Sequence, residues 1–132
     1  NMQDNPVYED VVADILKWFG RKIASLQEAG VKDIILDPGF GFGKTIKHNF
    51  EILQRFGDFS VAGLPLLAGV SRKSMIWKTL GITPDDALNG TSVLNAVALM
   101  GGADILRVHD VAEAVQTIKL IEKLKDVKND KC

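Results

Sequence analysis

Three short apolar runs constrain this chain more than any other feature: residues 33–37, 65–70 and 104–108. Each is too short for a helix, lies between Gly, Pro or polar residues, and reads as a buried strand. Longer stretches with helical periodicity separate them. Strands that are apolar on both faces and alternate with helices belong to a parallel sheet covered on both sides. The expected order is one helix followed by three strand–helix units.

The helices have their own punctuation. Asn5 can cap the first and Pro6 suits its first turn. Val11, Val12, Ile15, Leu16, Phe19, Ile23 and Leu26 then recur as one stripe, and Gly30 ends the helix at C′. Ile46, Phe50, Leu53 and Phe56 mark a helix of about ten residues, closed by a turn-rich stretch over 57–64. A short helix after Ser71-Arg72-Lys73 ends near Gly81. Thr83-Pro84-Asp85-Asp86 is a helix-start signal. Gly90-Thr91 is expected to break or bend that helix before it resumes through Val93, Leu94, Val97 and Leu99. A last helix reaches about Lys125, and 126–132 reads as a polar tail.

With 132 residues the chain has room for one domain with a modest core. Its 46% hydrophobic and 25% charged content is that of a soluble globular protein. A net charge of −1 gives no electrostatic footprint for nucleic acid or an anionic membrane. No apolar run approaches a membrane span and no signal peptide opens the chain, so a cytoplasmic setting is expected. The single cysteine, Cys132, excludes an intrachain disulfide and a Cys-based metal site. A complete (β/α)8 barrel needs about 250 residues, so three units make less than half of one. The missing initiator Met, with a helix opening almost at once, suggests a piece of something larger.

In α/β barrels the active site lies at the carboxyl ends of the strands. Here those ends carry Asp37, then Ser71-Arg72-Lys73, then Arg107 with His109. A solvated surface charge is the competing reading of each alone, and capping of the last helix is that of His109. Together they converge on one rim. A carboxylate such as Asp37 can accept two N–H bonds from an amidine-like edge. Lys73 is a mobile point charge. Arg107 can stack on an aromatic face or grip phosphate, and His109, two residues on, shares its face.

The segment after Asp37, Pro38-Gly39-Phe40-Gly41-Phe42-Gly43-Lys44, has Gly at every second position and two Phe rings between. Such a loop lets main chain approach a planar ligand, although an unliganded turn is the alternative on this segment alone. It is not a phosphate-binding P-loop, because Pro38 stands where G-x-x-x-x-G-K-[ST] requires Gly. His48 reads as solvated or capping. No H-E-x-x-H pattern or G-x-S-x-G elbow occurs.

The three motifs, Asp37 to Lys44, Gly69-Val-Ser-Arg-Lys-Ser74 and Arg107-Val-His-Asp110, resemble the C-terminal signatures of the dihydropteroate synthase family, and the likeness extends over essentially the whole chain. It implies the C-terminal part of a pterin-binding (β/α)8 TIM barrel, about three parallel strands with flanking helices, occupying residues 1–132 without the N-terminal half. The implied reaction joins p-aminobenzoate to 6-hydroxymethyl-7,8-dihydropterin pyrophosphate. Asp37, Lys73 and Arg107 would then be catalytic and, with Gly69, would hold the pterin. Arg107 and His109 would hold pyrophosphate, and Phe42, Ser71 and Arg72 would line the p-aminobenzoate side, where sulfonamides compete. The Mg2+ ligand is expected in the absent half, together with further pterin contacts, so the chain alone is expected to be inactive. Uncovered strand edges predict a homo-oligomer. A methyltetrahydrofolate methyltransferase-type pterin domain and a non-catalytic barrel fragment are the other readings.

Overall fold

The computed structural model describes residues 9–41 and 43–127. Helix α1 (Val11–Glu28) starts later than expected, because Asp10 is its cap: Oδ1 accepts from the Ala13 N–H at 3.0 Å. The expected cap at Asn5 and Pro6 lies outside the described residues. Gly30 does close the helix at C′, with φ at +91°. Helix α2 (Ile46–Gln54) gives way to a 3-10 helix over Phe56–Ala62, so Phe56 starts a new element instead of ending α2. Helix α3 (Ser74–Leu80) stops at Gly81, in the left-handed region with φ at +69°.

The Thr83-Pro84 signal opens a 3-10 turn (Pro84–Asp86), and α4 (Leu88–Met100) follows it. The helix is not broken at Gly90-Thr91, which lie in the first turn of α4. Gly90 is there for proximity: a Cβ on it would stand 2.4 Å from Ile76 Cγ2, so α3 and α4 meet where only a hydrogen fits. Helix α5 (Val111–Asp126) ends as predicted, and its Lys125 ammonium donates to the Leu99 carbonyl near the end of α4 at 2.7 Å. The tail from residue 128 onward lies outside the described residues.

The strands are shorter than their apolar runs. β1 is Leu67–Ala68 and β2 is Ile105–Leu106, parallel, with Leu67 beside Ile105 and Ala68 beside Leu106. The first run contributes one parallel bridge, Leu36 to Leu66. There the Leu36 N–H donates to Pro65 O at 2.9 Å and the Leu67 N–H to Leu36 O at 2.8 Å. Spatial order thus follows chain order, as in adjacent strands of a barrel wall. The Asp104 carboxylate takes the Leu66 N–H at 2.9 Å and pins the start of the third strand to the second.

Among the described residues only one sheet face is covered, which corrects the expectation of a sheet buried on both sides. Leu36, Leu66, Ala68 and Val70 join one core with Val11, Val12, Phe19, Ile52, Met75 and Ala98 from the helices. Phe19, Phe59, Phe56 and Phe40 run through that core with successive ring centroids 5.9, 6.0 and 6.4 Å apart. On the other face Ile35 is 54% exposed and Ile105 36%. That is the parity of a barrel wall, whose inner side is filled by side chains of other strands and not by helices.

Gly90 gives a direct test. Ile76 is β-branched and buried, so it cannot turn away from an added methyl. Gly90→Ala should lower stability by about 1–2 kcal/mol in urea unfolding, overpacking outweighing the helix-propensity gain. Gly20→Ala in α1, where a Cβ meets nothing within 4 Å, should raise it by about 0.5–1 kcal/mol. Equal effects at the two positions would contradict the close approach of α3 and α4.

Candidate functional site

Side chains alternate along a strand, so the register decides which residues share the open face. Leu67 beside Ile105 puts Gly69 level with Arg107 and Ser71 level with His109, and Asp37 follows Ile35 with the same parity. The structure realises this placement. The Arg107 guanidinium lies across Gly69 and donates from Nη2 to Asp37 Oδ2 at 2.9 Å. A Cβ at position 69 would sit 3.2 Å from both Nε and Nη2 of Arg107, so Gly69 is the floor on which that guanidinium rests. The other Asp37 oxygen accepts the Gly39 N–H at 3.0 Å and ties the carboxylate to the start of the glycine loop. Side chains of Arg107 and Asp37 are 67% and 34% exposed, which leaves the pair open to exchange with a ligand.

At the next level Ser71 Oγ and His109 Nδ1 are 2.7 Å apart, and the His109 N–H also donates to Ser71 Oγ at 3.2 Å. Arg72 has φ at +56°, a conformation costing a residue with a Cβ roughly 1–2 kcal/mol. Two contacts hold it there: its N–H donates to Thr91 Oγ1 at 3.0 Å, and its Nη2 to Asp110 Oδ1 at 2.9 Å. Asp110 thus turns the Arg72 side chain toward the start of α5. Lys73 stands at the start of α3, its N–H donating to Val70 O; its ammonium makes no hydrogen bond or ion pair with the described residues. Phe42 lies outside the described residues.

The profile of the pterin-binding enzyme family matches residues 1–109. The chain belongs to that family. It is 42% identical over 132 residues to the dihydropteroate synthase of Escherichia coli (strain K12), covering 98% of this chain and 47% of that one. Among solved structures, the Yersinia pestis dihydropteroate synthase in a sulfonamide drug complex superposes with a TM-score of 0.93 at 39% identity, over 96% of this chain and 47% of that one. The Thermus thermophilus enzyme in complex with 6HMPPP gives 0.89 at 35%, over 94% and 50%. The chain spans about half the length of the relatives it matches and is a portion of the dihydropteroate synthase barrel.

Within this pterin-binding enzyme fold the glycine loop is organised differently from its sequence pattern. Phe40 offers no surface to a ligand: it is buried and stacked on Phe56 at an interplanar angle of 15°. The loop is held by residues to which the motif alone assigns nothing. Asn49, buried in α2, accepts the Gly41 N–H at 3.1 Å. Lys44 folds back so that Nζ donates to Pro38 O at 3.4 Å. His48 caps α2 in a reciprocal exchange with Thr45, as one of its two readings had it. A cleft of about 490 Å³ between α1 and this loop reaches Asp37 past Trp18, Arg21 and Lys44. A second cleft, of about 220 Å³ among α2, α3 and α4, has no ionisable lining. Dihydropteroate synthases use Mg2+. Among the described residues no group of three or more His, Cys, Asp and Glu stands close enough to hold a metal ion.

Burial holds the Lys44 ammonium below the ordinary lysine range, with the nearby Asp37 charge opposing the shift. Between that lowered value and the ordinary one the unfolded chain binds more protons, so stability rises with pH across the window. The wild type should therefore gain stability relative to Lys44→Met as pH climbs toward the ordinary lysine value, measured by urea unfolding at a series of alkaline pH values. Parallel curves for the two proteins would deny that Lys44 is desolvated.

Proposed function

We propose that this chain is the C-terminal portion of a dihydropteroate synthase whose complete protein condenses p-aminobenzoate with 6-hydroxymethyl-7,8-dihydropterin pyrophosphate. One observation carries the reading. Asp37, Gly69, Ser71, Arg107 and His109 stand on one open face at the carboxyl ends of three adjacent parallel strand segments, with Arg107 laid over Gly69 onto Asp37.

The chemistry follows from what each group can do. Asp37 already accepts a planar N–H donor, and the amino-pyrimidine edge of a pterin presents donors of the same kind. When the pterin takes Asp37, the displaced Arg107 packs on the ring and turns its charge, with His109, toward pyrophosphate. Lys73, with no partner among the described residues, contacts the pterin ring. Ser71, Arg72 and Phe42 are assigned to p-aminobenzoate binding. The aromatic amine attacks the pterin's methylene carbon, the carbon–oxygen bond to pyrophosphate breaks, that oxygen keeps the electron pair, and the amine loses a proton. The residues of this chain contribute positioning and stabilisation of the leaving charge, with no covalent protein intermediate.

Alone, the chain is expected to give no turnover. Grafted in place of the matching half of the Escherichia coli synthase, it should form dihydropteroate, and Arg107→Ala in that chimera should lower kcat/KM by about 10²- to 10³-fold. A folded chimera that makes no product would overturn the reading.

The open face also bears on assembly. Ile35 and Ile105 lie exposed on it, and among the described residues the Leu36 segment and β2 each pair along one edge only. The isolated chain should self-associate to cover this surface. Sedimentation velocity at rising concentration is expected to show a dimer or larger species. A compact monomer throughout the range would refute self-association.

A further inference from the structure

We infer that Ser71 is a positioning residue for His109: its hydroxyl locks the neutral imidazole in the Nε2–H tautomer and presents that N–H to the open rim. The inference rests on hydrogen-bond accounting. A serine hydroxyl has one proton to donate and two lone pairs. One lone pair of Ser71 Oγ receives the His109 backbone N–H at 3.2 Å. Only one other group contacts this oxygen among the described residues, His109 Nδ1 at 2.7 Å. Ser71 is 4% exposed, so its proton needs an acceptor, and among the described residues Nδ1 is the one within reach. If Nδ1 carried a hydrogen, the serine proton would be buried with nowhere to go. If Nδ1 is bare, every group is satisfied: the backbone N–H donates to Oγ, Oγ–H donates to Nδ1, and the remaining proton sits on Nε2.

The same two bonds fix the ring as well as its proton. Ser71 grips the main chain and the side chain of one residue, a closed loop that leaves the imidazole little freedom about its own bonds. His109 is an exposed residue, so without such a grip its tautomers and ring positions would exchange freely. Locked, it offers a neutral, directed donor on the face it shares with Arg107. This deepens the proposed function, since a fixed N–H beside a guanidinium suits an anionic leaving group. It gives Ser71, proposed to line the side of the second substrate, the further task of holding the histidine.

The test is nitrogen NMR on the full chain labelled in its histidines, at a pH where His109 is neutral. The wild type should show well-separated ring nitrogens, with Nδ1 unprotonated and the proton on Nε2. In Ser71→Ala the two resonances should move toward each other as the ring relaxes to a tautomer mixture, and Ser71→Thr, which keeps the hydroxyl, should restore the wild-type separation. Protonated Nδ1 in the neutral wild type overturns the inference, and so does an unchanged tautomer in a folded Ser71→Ala chain. Should that variant not fold, the wild-type spectrum alone decides between the two tautomers. Titration with inorganic pyrophosphate separates this from the functional reading: a locked tautomer with no response of the His109 Nε2 signal supports the lock and counts against the anion role.

Discussion

The parallel register that sets Leu67 beside Ile105 is the constraint from which the rest follows. Parity then puts Leu36, Leu66, Ala68 and Val70 under the helices and leaves Asp37, Gly69, Ser71, Arg107 and His109 on the opposite face. A slip of one residue would turn Arg107 into the core and expose Leu106 in its place. The register has specific supports. The Asp104 carboxylate on the Leu66 N–H, and the backbone bonds from Leu36 to Pro65 and Leu67, hold three short segments at fixed relative heights. Strand segments this short owe their alignment to such side-chain pins and to the buried phenylalanines beneath them.

Much of the fold is visible in the residues themselves. The second and third apolar runs, the order of the helices, and the helix ends at Gly30 and Gly81 appear where composition and periodicity place them, because each rests on a local signal, while the first run yields a single bridge. What periodicity cannot show is proximity. Gly90 has the look of a helix breaker, yet it lies in the first turn of α4, where Ile76 of another helix leaves room for no side chain. Phe40 reads as a loop ring available to a ligand, yet Phe56, sixteen positions on, draws it into the core. The covering of the sheet is misjudged for a related reason: residues apolar on both faces show that both will be buried, but not by which layer.

The candidate site divides along the same line. Asp37, Ser71, Arg107 and His109 are legible because a strand end is a position the sequence can mark. Their pairing is not, since Asp37 meets Arg107 across 70 positions and Ser71 meets His109 across 38. The supporting residues are harder still. Thr91 and Asn49 belong to helices and carry no motif; Asp110 closes the third motif but is given no role there, and all three act through what they hold, Arg72 and Gly41. Nothing in the pattern around these residues says which distant partner each will hold.

Gly69 has a consequence for anyone comparing natural variants of this chain. It has no side chain to lose; an added methyl would press the Arg107 guanidinium aside by a few tenths of an ångström, and a larger side chain would take the space in which it lies over the backbone toward Asp37. A sequence change there would therefore register in assays as damage to an arginine and an aspartate that are both intact. Surveys that score only the charged positions would count such a variant as harmless, and the fault would be sought everywhere except at the residue that caused it.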